Sequence, residues 1–277
     1  MKHLLVAGFG DIARRALPLL ATRFHVTALA RAQGFDLDRP DSLALPQADA
    51  LLHLAPPPSA GSADSRTTNL LVALEKCGAP PERVVYVSTS GVYGDCGGAR
   101  VDESRPIAPR TDRGLRRADA EAQLRRWCAL RAVALVVLRV PGIYAMDRLP
   151  LERLRAGVPA LVPEDDVYTN HVHADDLARI AGRALEPDAP GGTFNASDDT
   201  ELKAGDWFDV VADHAGLPRP PRIRREAARE RIAPEHLSFL AESRRLVNRR
   251  LKEVLGARLR YATVHEGLKR ESAVGIH

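Results

Sequence analysis

Apolar and polar positions follow one another along the chain in a pattern that predicts strands and helices in turn. Short apolar runs of strand length recur through the first two thirds of the sequence, and longer amphipathic segments separate them. The predicted strands are Leu4–Val6, Phe24–Leu29, Phe35–Leu37, Ala48–Leu54, Arg83–Ser88, Ala132–Arg139 and Gly192–Ala196. Helices are predicted directly after Gly10 and at Ser65–Cys77, Thr111–Leu130 and Asp175–Leu185. This alternation predicts an α/β fold in which a doubly wound parallel sheet is covered on both faces.

A glycine-rich turn follows the first predicted strand. Gly8, Gly10 and Ala13 have the spacing G-x-G-x-x-A, which is typical of a turn that receives a dinucleotide pyrophosphate. Gly8 permits the tight turn, Gly10 lets the backbone approach the phosphates, and Ala13 lets the helix lie close to the strand. Glycines also occur in ordinary turns, but the strand before and the amphipathic helix after favour a nucleotide site. The stretch therefore predicts a Rossmann-type sheet.

The end of the second predicted strand bears on the choice of cofactor. NAD-binding units usually place a carboxylate there to accept from the ribose 2′-hydroxyl. This chain has Ala30-Arg31 instead, so nothing repels a 2′-phosphate and a guanidinium is at hand. We therefore expect NADP in preference to NAD, although Arg31 is also one of many surface arginines.

The second half of the chain is less regular and predicts a smaller lobe. A helix is predicted at Leu149–Ala156, and a final basic helix at Glu242–Leu255. Pro56–Pro58 ends a strand and marks a loop of the kind that holds ligands at the edge of a parallel sheet. We assign residues 1–145 and 170–197 to an NAD(P)-binding Rossmann domain, and residues 146–169 and 198–277 to a smaller substrate-binding lobe.

Composition and charge limit the function classes. The chain has 277 residues, 45% apolar and 27% charged, with no apolar run of membrane-spanning length. Its N-terminus predicts a strand rather than a signal peptide, so we expect a cytoplasmic protein that binds no membrane. Three separated cysteines predict reduced thiols and no metal site. The net charge of +4 comes from scattered arginines, so we expect no nucleic-acid partner.

Several motifs together resemble the extended short-chain dehydrogenase/reductase family, in its NAD-dependent epimerase/dehydratase group. They run nearly end to end: the glycine turn, LLHLAPP, VVYVSTSGVYGD, LRVPGIY, NHVHADDLA and GGTFNASDD. The most specific are VSTSGVYG and HVHADDLA, because they recur together at this separation. The resemblance implies an NAD(P)-dependent oxidoreductase or epimerase that works on a sugar-like or nucleotide-linked small molecule.

The resemblance also implies roles for single residues. Gly8, Gly10, Asp11 and Ile12 would line the pyrophosphate, Arg31 the adenosine ribose, Asp36 and Leu37 the adenine, Leu54 and Ala55 the middle of the cofactor, and Pro141, Gly142 and Ile143 the nicotinamide. Thr89 stands where the family keeps a hydroxyl that hydrogen-bonds the reacting oxygen, with Ser88 beside it. His173, Asp175 and Asp176 look structural and would tie the lobe to the sheet.

The chain departs from the family at its catalytic motif Y-x-x-x-K. Arg113 stands at the tyrosine position and Arg117 at the lysine position, and no tyrosine in the chain has a lysine four residues on. A guanidinium does not deprotonate in a protein, so Arg113 cannot be the base. Arg117 could still hold a nicotinamide ribose or a substrate phosphate. A proton relay would then need another group, and Tyr93 and Asp95 are nearest to Thr89 in sequence.

Two functions therefore stay open. Ser88, Thr89 and a full-length lobe favour an enzyme, whereas the two arginines favour an NADP-loaded sensor or partner-binding protein that has lost its chemistry. The resemblance further implies a homodimer in which the helices Ser65–Cys77 and Thr111–Leu130 pair with their two-fold mates. On the second of these helices Leu124, Trp127, Cys128 and Leu130 offer apolar surface, with Trp127 as the expected anchor.

Overall fold

The computed structural model describes residues 1–271, so the last six residues of the predicted lobe lie outside the described part. The strands are β1 (Lys2–Ala7), β2 (Phe24–Leu29), β3 (Ala50–His53), β4 (Arg83–Thr89), β5 (Arg100–Val101), β6 (Ala134–Val140), β7 (Gly142–Tyr144), β8 (Ala160–Leu161), β9 (Tyr168–Thr169), β10 (His171–His173), β11 (Gly192–Asn195), β12 (Leu202–Lys203), β13 (Arg222–Ile223) and β14 (Arg245–Leu246). The helices are α1 (Asp11–Leu20), α2 (Ser65–Glu75), α3 (Asp112–Leu130), α4 (Leu151–Arg155), α5 (Ala174–Ala184), α6 (Ala204–Ala215), α7 (Arg225–Arg231), α8 (Pro234–Phe239), α9 (Arg249–Glu253) and α10 (Val264–Glu271).

Six parallel strands form the central sheet in the order β11-β6-β4-β3-β1-β2. The strand order reverses between β1 and β3, because the chain moves from β1 to β2 on one side and then to β3 on the other. In an open parallel sheet, ligands bind in the crevice at the carboxyl ends of the strands beside such a reversal. The doubly wound α/β fold predicted from the sequence is confirmed.

Helices cover both faces of this sheet. On one face α1 and α5 pack against each other, and Ala13, Ala16 and Leu20 are buried there. The other face is covered by α2 and α3 through a second apolar cluster. Helix α1 continues through Pro18 and ends two residues later, at Leu20.

The C-terminal part of the chain has apolar clusters of its own. One joins α4, α6 and α10 around Trp207, and another joins α7 and α8 to the short strand β8. Leu251 and Leu255, from the end of the chain, pack instead into the core beside α5 and β11. The division into two domains stays a prediction. By their packing, Leu251 and Leu255 would belong to the Rossmann domain.

Two predicted elements differ in the structure. Phe35–Leu37 is not a strand, because Gly34 turns the chain at φ +84° and Leu37 is buried against α2 without pairing with a strand. The predicted helix Glu242–Leu255 is instead the short strand β14 followed by α9, because the backbone of β14 pairs with β5.

Within residues 1–271 no helix is long and apolar enough to cross a membrane. The three cysteines are free thiols, as expected from their spacing.

Candidate functional site

The glycine turn has the geometry that a dinucleotide site needs. Gly8 has φ +87°, and a Cβ on it would collide with the backbone of Leu54 and Ala55 at the end of β3. Only glycine fits there. Gly10 is the opposite case, because no described atom lies within 4 Å of the place where its Cβ would stand. The turn is therefore closely packed on its inner side and open on its outer side, where a phosphate would lie.

The start of α1 is equally suited to an anion. Gly10 is the N-cap and makes no side-chain capping bond, so the first N–H groups of the helix remain available. Asp11 in the first turn carries a negative charge, but it accepts hydrogen bonds from Arg15 and Arg148, both at 2.9 Å. The neighbouring Ile12 packs partly against the sheet core. These residues fit a bound NAD(P), with the paired arginines offsetting the carboxylate.

The predicted adenosine side of the site is polar and solvent-exposed. The Arg31 side chain is 68% exposed and donates to Asp36 at 3.3 Å and to Asp38 at 2.7 Å. Arg66 also donates two hydrogen bonds to the carboxylate of Asp38, both at 2.7 Å. Leu37 is 8% exposed and packs into the core, so its side chain is mainly structural. Arg31 thus lies directly after β2, as predicted from the sequence, but its guanidinium is paired with the carboxylates of Asp36 and Asp38.

Thr89 and Ser88 end β4 and point in different directions. Thr89 lines a cavity of about 400 Å³ together with Pro141, Gly142 and Ile143, the residues expected to cover the nicotinamide. Its Oγ1 accepts from the backbone N–H of Gly91 at 3.2 Å, which leaves the hydroxyl proton free to donate. Ser88 is buried and donates to Glu121 at 2.7 Å. Only Thr89 of this pair can therefore reach a substrate.

The prediction that Tyr93 or Asp95 relays a proton is wrong. Tyr93 is 1% exposed and its hydroxyl donates to Asn195 at 2.8 Å, away from the cavity. Asp95 accepts the backbone N–H of Ser243 at 2.8 Å, and hydrogen bonds of this kind hold the pKa of Asp95 below its usual value. Nearness in sequence was misleading, because the tight turn after Thr89 sends these two side chains elsewhere.

The two arginines at the family's catalytic positions occupy different environments. Arg113 lines the cavity, and its guanidinium lies 4.4 Å from the ring centre of Phe239. Arg117 points inward, where it donates to the carbonyl of Val87 at 2.9 Å and to the hydroxyl of Tyr86 at 3.1 Å. The structure thus brings Arg113 to the cavity wall and gives Arg117 backbone and phenol partners between β3 and β4.

Sequence reasoning missed most of the far wall of this cavity. Its members share polar or aromatic character, and all except Asn170 and His171 come from the predicted lobe: Arg148, Arg153, Tyr168, Asn170, His171, Trp207, Phe208, His236, Phe239, Glu242 and Arg244. Their positions depend on contacts between segments far apart in sequence.

Glu242 and Arg244 form the most polar part of this wall. They pair at 2.9 Å with side chains only 10% and 11% exposed, and Arg244 also donates to the carbonyl of Gly94 at 2.6 Å. The side-chain oxygen of Asn170 holds the same segment by accepting a hydrogen bond from the backbone N–H of Leu246 at 2.7 Å. One carboxylate oxygen of Glu242, Oε1, is buried without a hydrogen-bond partner among the described residues. Glu242 therefore brings a carboxylate to the cavity wall, and Arg244 holds it through the other oxygen, Oε2.

An aromatic group closes another side of the cavity. The rings of His171 and Trp207 lie 4.3 Å apart, and Tyr144 meets the His171 ring edge-on at 6.2 Å. Burial lowers the pKa of His171 to about 3, so its imidazole is neutral at physiological pH. This wall offers an apolar surface against which a sugar-like ring can pack.

The structural roles expected for His173 and Asp176 are confirmed. His173 caps α5 by accepting the N–H of Asp175 at 3.2 Å. Asp176 accepts the backbone N–H groups of Arg260 and Tyr261, both at 2.8 Å. These contacts tie the end of the chain to the sheet.

The predicted interface anchor on α3 is mostly internal. Trp127 is 8% exposed and lies in the core under α2, and Leu124 and Cys128 are also buried. Leu130 is the exception, with 76% exposure. The apolar face of α3 is therefore largely used to cover the sheet.

Comparisons with known proteins agree with this architecture. A conserved protein of unknown function from Silicibacter pomeroyi is 28% identical, with a TM-score of 0.82 over 99% of this chain and 100% of that chain. A protein from Methylobacillus flagellatus described as an NAD-dependent epimerase/dehydratase is 25% identical, with a TM-score of 0.72 over 98% of both chains. The human epimerase family protein SDR39U1, solved with NADPH, is 19% identical over 99% of this chain and 100% of that chain and has a TM-score of 0.78, which shows the shared fold.

None of the curated protein sequences compared with the chain matches it. The model of the NAD dependent epimerase/dehydratase family matches residues 47–197, from the start of the β3 region to the end of β11. That span holds Thr89, Arg113 and the turn at Pro141, and it exceeds half of the chain. With the glycine turn, the parallel sheet and this match together, the chain belongs to the NAD dependent epimerase/dehydratase family.

Proposed function

We propose that this protein is an NADP-dependent oxidoreductase or epimerase that acts on a small hydroxylated, sugar-like molecule in the cavity beside Thr89. The observation that carries the proposal is the shared cavity wall. Thr89 at the end of β4 and Pro141–Ile143 at the end of β6 face one space, which the lobe closes from the other side. Gly8 and Gly10 would hold the pyrophosphate, and Arg31 would hold the 2′-phosphate.

The nicotinamide, when bound, would supply or accept the hydride. The protein's own part is to place the reacting oxygen and to move its proton. Thr89 can donate a hydrogen bond to that oxygen, and Arg113 can stabilise negative charge that develops near it. Neither group can accept the proton of the reacting hydroxyl. The guanidinium of Arg113 stays protonated, and the unactivated hydroxyl of Thr89 is too weak a base.

We assign the proton to Glu242. The Glu242 side chain lines the cavity, and Arg244 holds its Oε2 atom and keeps the side chain in place. The Oε1 atom has no hydrogen-bond partner among the described residues. A carboxylate in this position can accept a proton from a substrate hydroxyl and return it. Tyr168 also lines the cavity, with its ring between Arg245 at 4.7 Å and Lys203 at 5.8 Å, and is the competing candidate.

A substrate panel of sugars, sugar phosphates and nucleotide sugars with NADP tests this proposal, with NADPH absorbance as the signal. We expect Glu242→Gln to lower kcat by about 10²–10⁴-fold and to leave cofactor affinity intact, because general acid–base help is of this size. If Tyr168→Phe causes the loss and Glu242→Gln does not, the phenol is the proton carrier and the assignment of Glu242 is wrong.

A second candidate function is an NADP-loaded sensor or partner-binding protein. Arg113 favours it, since a cation stands where the family keeps its tyrosine. The two functions differ in a simple way: tight NADP binding with no turnover across the panel would favour the sensor.

We also propose a homodimer through the face formed by α2 and α3. A groove of about 430 Å³ runs between these helices, and its rim exposes Val72 and Leu130 by 46% and 76%. Apolar side chains this exposed beside a groove are suited to a two-fold contact.

A further inference from the structure

Two arginines line the cavity without a carboxylate partner. Arg113 comes from α3 and Arg153 from α4, and neither makes an ion pair with any of the described residues. Arg153 donates a side-chain hydrogen bond to the carbonyl of Pro159 at 3.2 Å. Within the described part of the chain, neither guanidinium group is therefore neutralised by an ion pair at the cavity wall.

The other two arginines of the wall are already neutralised. Arg148 donates to Asp11 at 2.9 Å, and Arg244 pairs with Glu242 at 2.9 Å. Glu242 is also the carboxylate whose field acts on Arg113, but its closest partner is Arg244. Counting these pairs, the cavity keeps an excess of two positive charges from Arg113 and Arg153.

Each of the two guanidinium groups without an ion pair lies over an aromatic ring. The Cζ atom of Arg113 is 4.4 Å from the ring centre of Phe239, and that of Arg153 is 4.4 Å from the ring centre of Phe208. A cation–π contact of this kind does not use up the N–H groups of a guanidinium as hydrogen-bond donors. Burial lowers the pKa of both arginines, which reflects the cost of an unmatched charge in this site.

We propose that the cavity binds a substrate that carries a phosphate group, and that Arg113 and Arg153 hold this phosphate. A phosphate monoester bears about −1.5 to −2 charge at pH 7, which matches the two uncompensated guanidinium groups. Its oxygens also fit the planar donor fork of arginine. The inference rests on the proposed function, since it takes this cavity as the substrate site, and it narrows the substrate to a phosphorylated hydroxy compound.

The position of Arg113 places the phosphate close to the reacting group. Helix α3 begins directly against the turn that follows Thr89, because a Cβ on Gly114 would lie 3.1 Å from the carbonyl of Gly91. Arg113 and Thr89 therefore belong to the same end of the cavity. In the proposed complex the phosphate would lie on the arginines and the hydroxyl of the substrate would point toward Thr89.

Calorimetric titration with inorganic phosphate at constant ionic strength tests the inference, with the protein both free and saturated with NADPH. NADPH fills the glycine turn, which is itself an anion site. We expect one phosphate to bind to the NADPH-saturated protein, and Arg113→Gln or Arg153→Gln each to weaken this binding by about tenfold or more, because a charge-assisted hydrogen bond is lost. Arg219→Gln is the matched control, since Arg219 is 61% exposed, pairs with Asp213 and lies outside the cavity.

The outcomes separate this inference from the proposed function. Absence of phosphate binding, or binding that neither cavity variant weakens, overturns the inference even if NADPH binds. Succinate binding in place of phosphate, with the same dependence on the two arginines, also overturns it and indicates a dicarboxylate. A third outcome is that NADPH does not bind, while the NADPH-free protein binds phosphate and both cavity variants bind it more weakly. That result supports the phosphate site and contradicts the proposed function. The melting temperature of each variant shows whether it is folded.

Discussion

At the scale of single residues, the proposed preference for NADP depends on Arg31. Its pairs with Asp36 and Asp38 are largely exposed, and exposed pairs contribute about 0–1 kcal/mol, so a 2′-phosphate can displace them at small cost. Asp38 keeps Arg66 as a partner after such an exchange. The structure therefore leaves Arg31 available to a phosphate, although it is paired in the absence of one.

We expect NADPH to bind more tightly than NADH, and Arg31→Ala to weaken NADPH by about tenfold or more with little effect on NADH. The reason is that only NADPH carries the group that Arg31 would contact. Fluorescence titration of both cofactors measures this directly. Equal affinities in the unmutated protein would show that the assignment of Arg31 is wrong.

Asp198 gives a prediction about pH. Burial raises the pKa of this carboxyl to about 8, from an ordinary value of 3.8. Between these values the folded protein keeps a proton that the unfolded chain has released, so stability from this group falls as the pH rises. The slope is about 1.4 kcal/mol per pH unit within the window, and the contribution is complete only below the ordinary pKa.

Asp198→Asn removes the titrating proton and keeps an oxygen that can accept the N–H of Thr200. We expect the free energy of unfolding of the variant, relative to the unmutated protein, to increase with pH across the window. Urea denaturation at several pH values measures the difference. A difference that stays constant with pH would mean that Asp198 is ionised in the folded protein.

At the scale of elements, the inner face of α3 is attached to the sheet by buried charges. Glu121 binds Arg139 of β6 at 2.8 Å and accepts from Ser88 of β4 at 2.7 Å, with side-chain exposures of 2% for Glu121 and 6% for Arg139. The pair joins one helix to two strands. Removing one member leaves the other charge buried, which is the costly case for an internal ion pair.

We expect Glu121→Gln to lower the free energy of unfolding by about 3 kcal/mol, because Arg139 would be left without its counter-charge. Glu253→Gln is the matched control: its pair with Arg249 spans 4.0 Å, both side chains are about 70% exposed, and we expect a change of less than about 0.5 kcal/mol. Urea denaturation of the three proteins compares them. Similar small losses in both variants would contradict the role given to the buried pair.

Elements of the nucleotide-binding half could be predicted from the sequence because their signals are local. Apolar runs and the glycine turn placed β1, β2, β4 and α1 to within a few residues. Glu242–Leu255 has the composition of a helix, but its backbone is used by distant segments: Arg245 N–H donates to Ala99, and Leu246 N–H donates to Asn170. No local pattern contains that information.

The candidate site divides in the same way. Thr89 and Pro141 follow predicted strands, so the sequence could place them at one edge of the sheet. Glu242 and Arg153 come from the irregular part, and only the folded chain shows that they face Thr89. Tyr93 failed as a candidate because sequence distance does not determine the direction of a side chain after a tight turn.

At the scale of the whole molecule, the exposed face of α2 and α3 predicts the oligomeric state. We expect a dimer at micromolar concentration in analytical ultracentrifugation. Replacing Val72 and Leu130 together by Asp should give a monomer, because a charge cannot be buried there without a partner. Leu19→Asp is the control, since Leu19 is 44% exposed on α1, which covers the other face of the sheet. A monomeric unmutated protein would contradict the proposed interface.

The most direct test of the central claim, that the glycine turn binds a dinucleotide, is NADPH titration of Gly10→Ala. Gly10 has φ −92° and open space around its missing Cβ, so the added methyl group meets no protein atom. Gly8→Ala would not serve, because it clashes with the backbone of Ala55. We predict that Gly10→Ala keeps the melting temperature of the ligand-free protein and loses about tenfold or more in NADPH affinity, since the methyl group occupies the place of a phosphate. Unchanged NADPH affinity in a folded Gly10→Ala protein would contradict the account.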